Sequence, residues 1–291
     1  MTGEPARGSS ALRDPAFWMA LPATLFVVAV FVYPFLSGLV LSFTPEGKDT
    51  FANYLEFWNK PTLWNTIATT LKLALPATLI NVGLAIPVAY RLRNRSPFQK
   101  VATTLVTVPL TLGTVLIAEG MLTYFGPRGW FSQAVQALAL WDGPVRLTHN
   151  YWGVLISLVI SGFPFAFLLT LSYITGIDPA LARAAATLGA PPWQQFRHVI
   201  FPLLLSGLAM TFCLAFVQAF SVFPSAVLLG APAGPTRVIS IAAYEAAFEA
   251  YDYSLASAIA MVMGVVQLAV VALVLASRNF LYRGPAGGGK G

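Results

Sequence analysis

The sequence predicts an all-α membrane protein: six transmembrane helices with both termini on the cytoplasmic side. Three observations predict it. Of 291 residues, 57% are apolar and only 10% charged, with a mean hydropathy of +0.72, whereas a water-exposed globular surface carries roughly a quarter charged residues. Six apolar runs are long enough to cross about 30 Å of hydrocarbon at about 1.5 Å per helical residue. Lysine and arginine are abundant in every second connection between the runs. This composition excludes a disordered chain, a coiled coil, a disulfide scaffold and an ordinary cytosolic enzyme. A single cysteine, Cys213, sits inside an apolar run and has no intrachain partner. The net charge of +6 is scattered between apolar runs, forms no basic stripe, and so implies no nucleic-acid partner.

The elements follow in order. Residues 1–16, with Arg7 and Arg13, form a cytoplasmic N-terminal segment ahead of a transmembrane domain over residues 17–281. The first run, Phe17 to Phe43, exceeds the apolar length of a signal peptide and shows no small-x-small cleavage site, so it is read as a retained span. The second covers Asn65 to Tyr90, the third Phe98 to Phe125, the fourth Tyr151 to Ile174, the fifth Pro202 to Leu229 and the sixth Leu255 to Leu281. Strands are excluded by run length. Prolines within the runs, such as Pro76, Pro87, Pro109 and Pro164, are tolerated where neighbouring helices satisfy the freed carbonyls. The glycine-rich tail, residues 282–291, is predicted to be disordered.

Charge then sets the orientation. The N-terminus, the second connection (Arg91, Arg93, Arg95, Lys100), the fourth (Arg183, Arg197) and the C-terminus carry 11 of the 17 Lys and Arg residues, and the alternate connections carry five. Positive charge marks the cytoplasmic side. Glu46, Asp49, Glu56, Asp142, Glu245, Glu249 and Asp252 fall on the opposite side, with Trp58, Trp64, Trp130, Trp141 and Trp152 crowding the same connections as an interfacial belt against membrane lipid. No internal repeat is visible, which counts against an inverted-repeat carrier.

The most informative stretch is the fourth connection, residues 178–202. Asp178 is placed as a helix N-cap with Pro179 at the first helical position, and an alanine-rich run follows until Gly189 stops it. A second short helix beginning near Pro191 or Pro192 puts Trp193, Phe196 and Ile200 in one stripe. In its spacing this stretch resembles the signature of the inner-membrane permeases of binding-protein-dependent ATP-binding-cassette (ABC) importers: Glu-Ala-Ala, three residues, Gly, nine residues, then Ile-x-Leu-Pro. The matching positions are Ala184, Ala185, Gly189, Val199, Phe201 and Pro202, with every spacing kept. Arg183 departs from the pattern, standing where the family has glutamate. The final third, from Pro224 through Thr236-Arg237-Val238-Ile239 to Tyr251-Asp252-Tyr253-Ser254, is most similar to permeases for polyamines and their relatives for iron, thiamine, phosphonates or sulfate, with parts shared by sugar permeases.

The resemblance implies that residues 178–202 form the coupling helix loop between spans four and five, docking into a cytoplasmic ATPase through Asp178, Arg183, Ala184, Ala185, Gly189, Phe196, Val199 and Pro202. It further implies a second permease subunit, identical or homologous, an extracytoplasmic solute-binding protein, and a bacterial inner-membrane location. Two readings of Arg183 stand: it meets an acidic patch on the ATPase, or this subunit is the weaker half of an asymmetric pair. The implied solute is small, either a polyamine or other charged molecule, or a sugar.

An importer needs an energy source, and Gly284 to Lys290 is a false match to a phosphate-binding loop: Gly291 replaces the required Ser or Thr and no helix follows. ATP and magnesium are therefore expected on a separate ATPase chain, with no cofactor, metal site or catalytic residue on this one. His149 and His198 have no third ligand at metal spacing. Two ionisable residues lie inside spans, Lys72 and Glu119, each about 9 to 11 Å from the outer end. They are read either as a structural pair with Lys72 snorkelling outward, or as pathway groups, Glu119 helping a cationic solute across. Gln218 and Ser221 are further pathway candidates, with helix packing as their alternative role. The rivals to the importer reading are a self-sufficient secondary carrier or channel, and a lipid-modifying membrane enzyme.

Overall fold

A computed structural model describes residues 15–45, 47, 49–94, 97–126, 129–137 and 147–281. Most of the N-terminal segment and the glycine-rich tail expected to be disordered lie outside the described residues. Among the described residues the secondary structure is helical, and six helices are long and apolar enough to cross a membrane.

The first span is α1 (Pro15–Val27), a π-helical turn (Val28–Val32) and α2 (Tyr33–Ser42) in one continuous rod. Helix α3 (Ala52–Asn59) is short and buries Asn53 and Phe57. The second span, α4 (Pro61–Arg91), begins four residues before the expected start because Pro61 supplies the fixed φ of a first helical turn. The third, α5 (Pro97–Phe125), is broken internally at Gly113, and α6 (Trp130–Ala137) follows it. The fourth span, α7 (Tyr151–Thr175), is capped by Asn150, whose Oδ1 accepts from the Gly153 amide at 2.9 Å.

Helices α8 (Pro179–Thr187) and α9 (Pro192–Gln195) form the fourth connection, and a π-helical turn (Phe196–Ile200) joins α9 to α10 (Phe201–Phe220). The fifth span departs from expectation. It was expected as Pro202 to Leu229, but the helix runs from Pro192 to Phe220 and then breaks, with α11 (Pro224–Leu229) as a separate piece. The outer connection holds α12 (Ile239–Tyr244) and a π-helical turn (Glu245–Glu249) before the sixth span, α13 (Tyr253–Leu281).

Helices α4, α7 and α10 form the centre of the bundle, α2 packs along α13, and α5 packs on α7. The buried residues of α4 (Thr66, Thr70, Leu73, Ala77, Asn81, Ala85, Ala89) recur every three or four positions, which puts them on one stripe. Lipid is as apolar as leucine, so close packing rather than water exclusion holds such helices together, and small residues let them approach. A Cβ on Gly162 of α7 would lie 2.4 Å from Asn81 Nδ2 on α4, and one on Gly207 of α10 would lie 2.4 Å from Tyr173 Cγ on α7. Buried hydroxyls bond back along their own helices: Thr70 to the Thr66 carbonyl, Thr78 to Ala74, Thr170 to Ala166 and Thr211 to Gly207, at 2.6 to 3.0 Å. At the end opposite the α8–α9 connection a polar knot ties three elements. Asn53 donates to the Ser42 carbonyl (3.1 Å) and to Ser254 Oγ (2.7 Å), and Ser254 donates to the Leu41 carbonyl (2.8 Å).

Candidate functional site

Most of the candidate residues fall in two regions: the connection between α7 and α10, and a cavity at the middle of the bundle. In the first, Asp178 caps α8 as expected, its Oδ1 accepting from the Ala180 amide at 2.8 Å. Pro179 occupies the first helical position. The helix then closes on Gly189, whose φ of +81° is open to glycine and strained for other residues. The amide of Gly189 donates to the Ala186 carbonyl and that of Ala190 to Ala185, the paired bonds of a Schellman turn. Gln195 Nε2 donates back to the Ala190 carbonyl at 2.7 Å and fastens the start of the second helix to the turn.

From Pro192 the chain is helical without interruption into the fifth span, so the turn is rigidly joined to a membrane helix. Phe196 is the pin: its ring lies 4.8 Å from Tyr90, 5.8 Å from Trp193 and 5.9 Å from Phe201, tying the connection to α4 as well as α10. Ile200 is buried and Val199 and Pro202 are half-buried. Trp193 stacks on Phe196 in the expected stripe while staying 65% exposed, and Leu188 at the tip is 89% exposed. Ala184 is exposed and Ala185 half-buried. Arg183 is exposed and lines a cavity of about 320 Å³ with Arg93, Asp178 and Gln195, while Arg93 lies over the Tyr90 ring at 4.1 Å. An apolar tip thus stands on a turn closed by its own hydrogen bonds and fixed to two spans.

The second region is a cavity of about 70 Å³ bounded by α4, α5, α7, α10 and α11. Gln218 and Ser221, both singled out in the sequence, line it, and Gln267 of α13 donates to Ser221 Oγ at 2.9 Å and to the Val217 carbonyl at 3.3 Å. Asn81, Thr114, Ser161 and Ser225 line it too, and sequence reasoning missed all four. The signal that would have found Asn81 is its place on the buried stripe of α4, three positions after Thr78.

Lys72 and Glu119 are not brought together: both are exposed, and no ion pair joins them. Lys72 lies on α4, where its carbonyl accepts from the Tyr151 hydroxyl at 2.8 Å. Glu119 lies on α5 beside Leu116, Gly120, Thr123, Tyr124 and Trp130, apart from the cavity of Gln218 and Ser221. The shared depth deduced from the sequence does not fix the direction in which each side chain leaves its helix.

Known proteins resemble the chain along most of its length. The sulfate transport system permease protein CysT of Escherichia coli (strain K12) is 27% identical over 269 residues, covering 92% of each chain. The spermidine/putrescine transport system permease protein PotB of Haemophilus influenzae is 28% identical over 205 residues, 68% of this chain and 71% of that one. In fold, a bacterial ABC transporter that imports the acidic polysaccharide alginate superposes with a TM-score of 0.80 over 94% of this chain and 98% of its own, at 22% identity. The MetNI methionine ABC transporter does so with a TM-score of 0.62 over 77% and 99%, at 14% identity. The family model for binding-protein-dependent transport system inner membrane components matches residues 81–283, from the cavity residue Asn81 past the end of the sixth span. The chain belongs to that family, as a permease subunit of an ABC importer in the inner membrane.

Proposed function

We propose that the α8–α9 connection is the coupling element through which a separate ATPase drives this permease. The carrying observation is the joint itself: an exposed apolar tip, Leu188 and Trp193, on a Schellman turn whose second helix runs unbroken into the fifth span. Such a joint passes a rigid-body movement on instead of absorbing it. Asp178, Arg183, Ala184, Ala185, Gly189, Phe196, Val199 and Pro202 take the parts of cap, docking face, turn and pin.

The working assembly in this reading holds two permease chains, identical or homologous, two ATPase subunits bearing ATP and magnesium on the cytoplasmic side, and a solute-binding protein outside. The related alginate transporter has been seen with an alginate-pentasaccharide-bound periplasmic protein, which supports the outer partner. The names of relatives divide among sulfate, polyamines and starch degradation products, and so choose no solute. Family membership weighs against a self-sufficient carrier and a lipid-modifying enzyme.

Co-purification of the cognate ATPase in detergent tests the assignment. The wild type retains the ATPase, and a permease lacking residues 183–193 loses it. If the deleted form keeps the ATPase and its uptake, the coupling role is wrong.

A further inference from the structure

One of the six spans is interrupted internally, another ends in a break before a short separate helix, and both irregular stretches border the same cavity. In α5, Gly113 adopts φ 70° and ψ 163° between helical stretches, and its neighbour Thr114 lines the cavity. A Cβ on Gly113 would meet nothing within 4 Å, so the conformation and not the space requires glycine. Helix α10 ends at Phe220, and the residues from Ser221 to Pro224 that lead into α11 line the other side. Irregular backbone inside a membrane is sustainable only where protein buries it or a cavity solvates it, and discontinuous spans mark solute sites in transporters. Ser161 is ten residues from Tyr151 and 14 from Thr175, about 15 and 21 Å along α7, which places the cavity near the middle of the bundle.

The lining is uncharged and mixes apolar residues, such as Leu158, Val222 and Phe223, with polar ones. Asn81, Thr114, Ser161, Gln218, Ser221 and Ser225 contribute amides and hydroxyls, and no lining residue is ionisable. Most of these groups already have partners: Ser161 Oγ donates to the Ser157 carbonyl (2.8 Å), and Ser225 Oγ bonds Ser157 Oγ (2.8 Å). Among the buried ones, Asn81 is the exception. It is only 2% exposed, its Nδ2 donates to the Leu158 carbonyl at 3.2 Å, and its Oδ1 has no donor. Gly162 leaves open the space that Asn81 Nδ2 occupies, since a Cβ there would lie 2.4 Å from it. Unpaired buried acceptors are rare because they are costly.

We propose that this cavity is a contact site for an uncharged, hydroxyl-bearing solute of the saccharide or polyol class, with Asn81 Oδ1 as the acceptor for a solute hydroxyl and Gln218 and Ser221 at the mouth. The proposal rests on the permease reading above. A charged group stripped of water here would find no counter-charge. A neutral hydroxyl needs only the hydrogen bonds that the lining supplies. Sulfate brings no donor for Asn81. A polyamine brings donors together with positive charge, and Glu119 lies in a different place on α5. At about 70 Å³ the cavity admits one or two hydroxyl-bearing groups at a time, so it grips part of a solute in passage.

The test uses the complete transporter, permease with its ATPase and binding protein, in proteoliposomes. Uptake and solute-stimulated ATP hydrolysis are measured with mono- to trisaccharides, polyols, sulfate and putrescine. Stimulation by a saccharide or polyol alone is expected, with uptake of that solute about tenfold lower in Asn81→Ser and in Gln218→Ala while the ATPase still co-purifies. Two variants guard against misfolding of either. Stimulation by sulfate or putrescine, stimulation by none of the panel, or unchanged saccharide uptake in both variants overturns the proposal. Failure of the wild-type chain to retain an ATPase overturns the permease assembly instead.

Discussion

Gly189 and Gly162 show two different reasons for a glycine. At Gly189 the Cβ of a larger residue would meet nothing within 4 Å, but φ is +81°. An L-residue there pays about 1–2 kcal/mol for the left-handed conformation. Gly189→Ala is therefore expected to loosen the Schellman turn without touching the core: the purified permease keeps its melting temperature, while ATP-driven uptake falls several-fold. Gly189→Asn recovers part of it, since asparagine tolerates that region better. At Gly162 space decides, because an added methyl meets Asn81 Nδ2 at 2.4 Å and α4 must shift from α7 or the amide must swing. Gly162→Ala is expected to cost about 1–3 kcal/mol, the range for overpacking, and thermal unfolding in detergent measures it. A melting temperature equal to wild type would show that α4 and α7 are not in close contact.

Among the elements, the fifth span differs most from its sequence reading, and for an identifiable reason. Apolarity continues without a gap from Phe201 through Val222, Phe223 and α11, so hydropathy alone draws one long span. The break was marked only by Gln218, Ser221 and Pro224, and a proline by itself does not end a membrane helix. The other spans lie within a few residues of their expected ends, because charge and proline bracket them. The first helix of the connection was legible down to its cap, since Asp-Pro at the start and glycine at the end are local signals. The cavity was half legible: Gln218 and Ser221 stand out in an apolar run, whereas Asn81 and Ser161 depend on which face of α4 meets which face of α7. The Lys72–Glu119 encounter failed because depth was known and azimuth was not. Continuity of α9 with α10 also yields a prediction. Replacing Arg197 and His198 together by glycine weakens the helix between turn and span by about 1 kcal/mol per residue. The ATPase should stay bound and hydrolyse ATP, while uptake in proteoliposomes drops markedly; unchanged uptake would mean that the joint is not the route of coupling.

Across the whole molecule, arginine-rich connections gather at one end with α8 and α9, and the end with α3, α12 and the Arg237–Glu245 ion pair carries most of the acidic residues. By the positive-inside rule the first end is expected in the cytoplasm. That orientation is what lets a cytoplasmic ATPase reach Leu188 and Trp193, so it can be checked independently of transport. In a Cys213→Ala background, single Leu188→Cys and Ala233→Cys variants put one thiol at each end, both at exposed positions. A membrane-impermeant maleimide added to intact spheroplasts is expected to label the thiol at position 233 and not at 188, and permeabilisation should expose 188. Binding of the ATPase should then protect position 188 and leave 233 reactive, because only one end of the bundle bears the apolar tip. Labelling of 188 from outside would invert the molecule and remove the coupling assignment, since no nucleotide-driven partner could reach the turn.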